Sequence, residues 1–111
     1  MSNIRLTQAT ALIVRALAAG HSHGFDIMEV SGLPSGTVYP ALRRLERARK
    51  VRSAWEDAEQ ARDAGRPRRR VYRLTADGHQ LAVEAGERLA DMGRFLAADA
   101  GLRAAEGAGE P

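Results

Sequence analysis

Four arginines fall within six residues in the segment Gly65-Arg66-Pro67-Arg68-Arg69-Arg70. A guanidinium offers its N–H groups as a planar fork that matches a phosphate or a guanine edge. Arg43 and Arg47, spaced one helical turn apart, offer the same chemistry at a second place in the chain. Ser35, Gly36 and Thr37 stand ahead of them and are small enough to let a backbone approach closely, and Tyr39 adds a ring edge and a hydroxyl. His23 contributes an imidazole upstream. This set suits the recognition of a polyanion better than the turnover of a substrate. Each member also has a plainer use. The arginine cluster fits a solvated loop, Arg43 and Arg47 fit surface ion pairs around Glu46, and Tyr39 fits a ring packed on a neighbouring helix.

Catalytic and metal chemistry find little support. The chain of 111 residues has no cysteine, which excludes a disulfide framework, a thiolate nucleophile and a cysteine zinc site. His21, His23 and Asp26, with His79 far along the chain, lack the spacing and thiolate support of a metal centre, so none is expected. No Ser-His-Asp order and no phosphate-binding glycine loop occurs, so neither an enzyme nor a cofactor is expected. The charge is unevenly placed. Residues 1–34 are neutral, 35–73 hold twelve basic and five acidic groups, and 74–111 hold three basic and seven acidic. Sixteen of the seventeen cations are arginine. The middle third is thus a candidate polyanion-binding face. No apolar run nears the roughly 18 residues of a membrane span, and no leader-type segment opens the chain, so a cytoplasmic protein away from membranes is expected.

The elements that position these residues follow from periodicity. Residues 6–19 read as a helix capped by Thr7 and stopped by Gly20, with Leu12 on its apolar stripe. Residues 23–31 read as a second helix and 35–49 as a third, separated by the tight Gly32-Leu33-Pro34 connection. Ser35 is the expected cap of the third helix, Pro40 predicts a local distortion, and Arg43 and Arg47 fall opposite its apolar face. Val51–Trp55 and 69–74 alternate as strands, joined by a loop of thirteen residues from Glu56 to Arg68. Trp55 is read either as strand packing under this hairpin or as a wall of a ligand pocket. Thr75 caps a last helix, on which Leu81, Ala85, Leu89, Met92 and Leu96 recur every three or four residues, with Phe95 beside them. That helix is expected to end near Ala100.

Helix, helix, tight turn, helix, strand, basic loop, strand and helix is the winged helix-turn-helix order. The fold expected is mainly α with a small β-hairpin and a long C-terminal dimerisation helix. Residues 1–74 would form the DNA-binding domain, 75–101 the dimerisation helix and 102–111 a disordered tail. Three stretches carry a resemblance: His23-Gly24-Phe25-Asp26-Ile27-Met28, the run Leu33-Pro34-Ser35-Gly36-Thr37-Val38-Tyr39-Pro40-Ala41-Leu42-Arg43-Arg44-Leu45-Glu46, and Gly65 to Thr75. On these the sequence resembles the PadR-like transcriptional regulators, in their short form with one C-terminal helix.

The resemblance implies a homodimeric, ligand-responsive repressor that binds double-stranded DNA at a pseudo-palindrome through the third helix and the wing. The DNA contacts expected are His23, Ser35, Gly36, Thr37, Tyr39, Arg43, Arg47, Arg66, Arg68, Arg69 and Arg70. Dimerisation is expected through Leu12, Leu81, Ala85, Leu89, Met92, Phe95 and Leu96. Some short members hold aromatic drugs between tryptophans of the C-terminal helix. This chain has none there, so any small-molecule effector would meet Met92, Phe95 and Leu96 instead. Two positions depart from the pattern. Phe25 stands where the family usually has tyrosine, and Arg49-Lys50 where it commonly has a glycine and an apolar residue. A second class stays open, a winged-helix adaptor for a protein partner with only non-specific DNA binding.

Overall fold

Thr7 caps the first helix, α1 (Gln8–Ala18), as its position predicts. Its hydroxyl oxygen accepts the Thr10 N–H at 3.2 Å, a cap of the kind that contributes about 1 kcal/mol. The fold is that of a computed structural model, which describes residues 4–108, without the side chains of 99–100 and 102–108. Helix α2 (Gly24–Ser31) starts at His23, which caps with its backbone only, and stops at Gly32, held in the left-handed region at φ 72°. A short turn leads to α3 (Ser35–Arg47).

Pro34, not Ser35, is the cap of α3. Its carbonyl accepts the N–H groups of both Thr37 and Val38 at 3.0 Å, and Ser35 is already helical. Pro40 does not interrupt the helix, and Val38, Ala41, Leu42 and Leu45 stay buried on one side of it. The carbonyl that loses its donor belongs to Gly36, which is exposed, so water can replace the bond.

Strands β1 (Val51–Trp55) and β2 (Arg70–Leu74) pair antiparallel, with Val51 opposite Leu74 and Trp55 opposite Arg70. The segment between them differs from the open loop expected. It holds a short helix, α4 (Ala58–Asp63), whose cap Asp57 accepts the Glu59 N–H at 2.8 Å. Ala61 is buried beneath it, and Gly65 at φ 68° ends it.

Helix α5 (Ala76–Ala108) has 33 residues, about 50 Å of helix. Thr75 caps it by accepting the Gly78 N–H at 3.1 Å, while donating to the Arg49 carbonyl at 2.7 Å. The helix passes the expected end near Ala100. Residues 102–108 read Leu-Arg-Ala-Ala-Glu-Gly-Ala, mostly strong helix formers, so propensity carries it on. The expected tail is therefore helical to Ala108, and 109–111 lie outside the described residues.

The core joins Ile13 and Val14 of α1, Ile27 of α2, Val38, Leu42 and Leu45 of α3, and Val51 of β1. Leu81 and Ala85 of α5 complete it. These two were expected at a dimer interface, and the structure instead buries them within the protomer. Leu89 is half-buried against the same core. Among the described residues no helix is long and apolar enough to cross a membrane.

Candidate nucleic-acid interface

The outer side of α3 carries Ser35, Gly36, Arg43, Arg44 and Arg47, all exposed, with Thr37 half-buried. None of these arginines has an ion-pair partner among the described residues. The helix therefore offers three unspent guanidinium groups on one surface. Tyr39 divides its roles. Its ring lies so close to Gly24 that a Cβ there would stand 2.4 Å from Tyr39 Cε1. Yet Tyr39 remains 37% exposed. The absence of a side chain at position 24 is what lets the ring lean on α2 and still reach the surface. His23, beside it, is half-buried, and its Nδ1 is buried with no hydrogen-bond partner among the described residues. His21 pairs with Asp26 at 2.8 Å.

The wing arginines are not a solvated loop. Arg66, Arg68 and Arg69 all converge on Glu56, at the end of β1. Arg66 grips the carboxylate with both terminal nitrogens, one of them at 2.7 Å from Oε2. Arg69 reaches Oε2 at 3.3 Å, and Arg68 Nε donates to the Glu56 backbone carbonyl at 2.9 Å. Glu56 itself is only 7% exposed. The Arg66 hydrogen bonds outweigh the cost of burial and, with the Arg69 charge, hold the Glu56 carboxyl down at about 2. The same pairing pushes the Arg66 guanidinium up.

Arg70 ties the wing to α3. Its Nε donates to Ser53 Oγ at 3.1 Å, the Ser53 hydroxyl donates to Glu46, and Arg70 lies 3.9 Å from the same Glu46 carboxylate. Its guanidinium sits 5.4 Å from the centre of the Trp55 ring. Trp55 is 58% exposed, so it does not pack beneath the hairpin as one sequence reading had it. The base of the wing is fixed by Tyr72, whose N–H donates to the Ser22 carbonyl at 2.8 Å. Burial pushes the Tyr72 hydroxyl up, against the opposing charge of Arg70. The α3 surface and the wing therefore form one connected basic face.

Sequence reasoning missed Glu56 and Tyr72, and it set Glu46 beside Arg43 and Arg47 where the structure sets it beside Arg70. The signal for Tyr72 was its place two residues from Arg70 in β2, on the same face of the strand. For the two glutamates no local pattern marks a carboxylate that will meet arginines 10 to 13 residues away, as Glu56 does. Of the expected dimer residues, Leu12 and Met92 are half-buried, while Phe95 and Leu96 are exposed. Met92 and Phe95 line a shallow groove with Leu6, Glu84, Glu87 and Asp91.

Residues 13–84 match the family described as the Transcriptional regulator PadR-like family. The chain belongs to the PadR-like family of transcriptional regulators. Its relatives are DNA-binding regulators of transcription, not enzymes. No curated protein matches this PadR-like chain in sequence. Among solved structures it is similar to a PadR family transcription regulator from hypervirulent Clostridium difficile, at 24% identity and a TM-score of 0.65, covering 81% of this chain and 95% of that one. It is also similar to the PcaV transcriptional regulator of Streptomyces coelicolor, in complex with its natural ligand (24% identity, TM-score 0.67, 84% of this chain and 62% of that one). A third is a MepR mutant of S. aureus bound to an oligodeoxyribonucleotide (23%, TM-score 0.59, 83% and 64%). This PadR-like chain thus spans under two thirds of the PcaV and MepR chains. At these identities the likeness is one of fold, the winged helix with its two-stranded wing.

Proposed function

We propose that this PadR-like chain is a homodimeric, ligand-responsive repressor acting on a pseudo-palindromic operator in the cytoplasm. The observation that carries the reading is the connected basic face, in which the free Arg43 and Arg47 of α3 stand beside a wing tied to the same helix through Glu46. Ser35, Gly36, Thr37 and Tyr39 lead α3 into the major groove, where Arg43 and Arg47 reach base edges or phosphates. Arg68, Arg69 and Arg70 follow the backbone, and His23 stands at the phosphate beside α2. Arg66, with its fork spent on Glu56, supports the wing from within.

The dimer follows from α5. Its apolar stripe continues past the core onto the half-buried Met92 and onto Phe95 and Leu96, which stay exposed in the protomer. A two-fold partner covers such a stripe at both ends at once. The two α3 helices then sit about 34 Å apart, one turn of DNA. A ligand held between the distal halves of α5 would alter that spacing and release the operator. The ligand-bound PcaV neighbour supports an effector for a fold of this kind.

The test is selection of bound fragments from the source genome by the purified chain, at about 150 mM salt, where non-specific binding is weak. A shared inverted repeat is expected. Random fragments, or none, would overturn the sequence-specific reading and favour an adaptor that docks a protein partner.

A further inference from the structure

The three wing arginines spend their donors unequally. Arg66 spends both terminal nitrogens on the Glu56 carboxylate. Arg69 spends one, and Arg68 spends only its Nε, on the Glu56 backbone. Arg68 keeps both terminal nitrogens, and Arg69 keeps its Nε and one terminal nitrogen. Exposure follows the same order, with 29% for the Arg66 side chain and 42% for Arg69. The one residue common to all three is Glu56.

We infer that Glu56 is the positioning residue of the wing: its carboxylate clasps Arg66, and this fixes Arg68 and Arg69 with their remaining N–H groups turned to the phosphate backbone. The inference rests on the DNA-binding reading above and deepens it. A planar fork on a carboxylate fixes direction as well as distance, which a lysine ammonium cannot do. Loop ordering that is complete before binding lowers the entropy lost on docking. The ion pair therefore acts through the two arginines that flank it, and Glu56 itself touches no DNA.

Simple electrostatics predicts the opposite sign. An anion within a DNA-binding face repels phosphate, so removing it should tighten binding. The sign of one substitution therefore decides. Binding of the full chain to a 30-base-pair duplex of mixed sequence is measured across a salt series by fluorescence anisotropy. Glu56→Gln is expected to weaken binding by about tenfold, the scale of a lost charge-assisted pair. Arg66→Lys, which keeps the charge and loses the fork, is expected to weaken it equally, and the double variant no further. Arg68→Ala and Arg69→Ala should each lower the salt slope by about 0.9, the signature of one phosphate contact. Arg68→Lys should keep that slope. If Glu56→Gln binds as tightly as the parent or more tightly, Glu56 only screens the wing and the inference fails. If that variant does not fold, Arg66→Lys decides, and unchanged binding overturns the clasp. If the parent chain shows no salt-dependent binding, the DNA-binding reading itself fails and the clasp falls with it.

Discussion

Arg49 shows how one residue can carry a cost that its neighbours absorb. It lies just past α3 in the left-handed region, at φ 60°, alone among the described non-glycine residues. The helix end demands this. Arg49 N–H bonds to the Glu46 carbonyl at 3.0 Å and Lys50 N–H to the Leu45 carbonyl at 2.9 Å, a closure that needs one left-handed residue. A side chain there costs about 1–2 kcal/mol. Glycine, common in the family at this place, has no such cost, so the sequence departure is met by strain and not by a different turn. Arg49→Gly is therefore expected to raise stability by about 1 kcal/mol, part of the relief being offset in the unfolded chain. Urea unfolding measures it, and an unchanged or lower midpoint would mean that the Arg49 side chain contributes more than its backbone loses. Such local features were legible: the Thr7 cap, the Gly32 stop and the departure at Arg49 can each be read from a few adjacent residues. The role of Pro34 was not. A serine one position later is the stronger cap by residue type, yet the extended conformation of proline gave its carbonyl the place.

The elements expected from periodicity are all present, because each apolar stripe has a face to bury. α4 escaped because it buries a single alanine, Ala61, and has no stripe. Its signal was the Asp57 cap followed by Glu59 in the first turn. Two junctions between elements can be tested. Gly78, in the first turn of α5, lies against the turn between α3 and β1, and a Cβ there would stand 1.9 Å from the Lys50 carbonyl oxygen. That atom is backbone and cannot swing aside, and the same carbonyl accepts the Thr75 N–H at 3.0 Å. Gly78→Ala should cost about 3 kcal/mol, as overpacking does, read as a fall in Tm. The wing is the second. Glu56 is held at about 2 against an ordinary 4.5, so the folded wing favours the ionised form. The unfolded wing binds the proton first. The stabilisation is then complete above about pH 4.5 and is lost as pH falls towards 2. Trp55, the only tryptophan, adjoins Glu56 and reports this. Its fluorescence should change as pH nears 2 in the parent and stay level in Glu56→Gln. A transition of equal size in both would place the titrating group elsewhere.

At the scale of the molecule, basic and acidic charge belong to different elements. The basic middle third builds α3 and the wing, while the acidic last third lies along α5. The length of α5 gives the chain an extent of 65 Å, against 38 and 21 Å in the other directions. The sequence showed a stripe along α5 but not where the protomer's own core would stop using it. The division falls near Leu89. Leu81 and Ala85 lie under α1, and Phe95 and Leu96 are 72% and 58% exposed. Two substitutions on one stripe should thus behave differently. Leu81→Glu places a charge in the core and should unfold the protomer. Phe95→Glu places one on an open surface and should leave the fold intact while dissociating the proposed dimer, which sedimentation equilibrium reads directly. The consequence for DNA follows from linkage between half-sites. In a dimer the second recognition helix binds at a high effective concentration, so a folded monomer should lose about 10²-fold or more in affinity for an inverted repeat. Affinity for a single half-site should stay the same in the parent and the variant. A Phe95→Glu chain that remains dimeric would place the two-fold contact away from the distal half of α5. A monomeric one that still bound the full repeat as tightly would show that each protomer recognises its half-site alone.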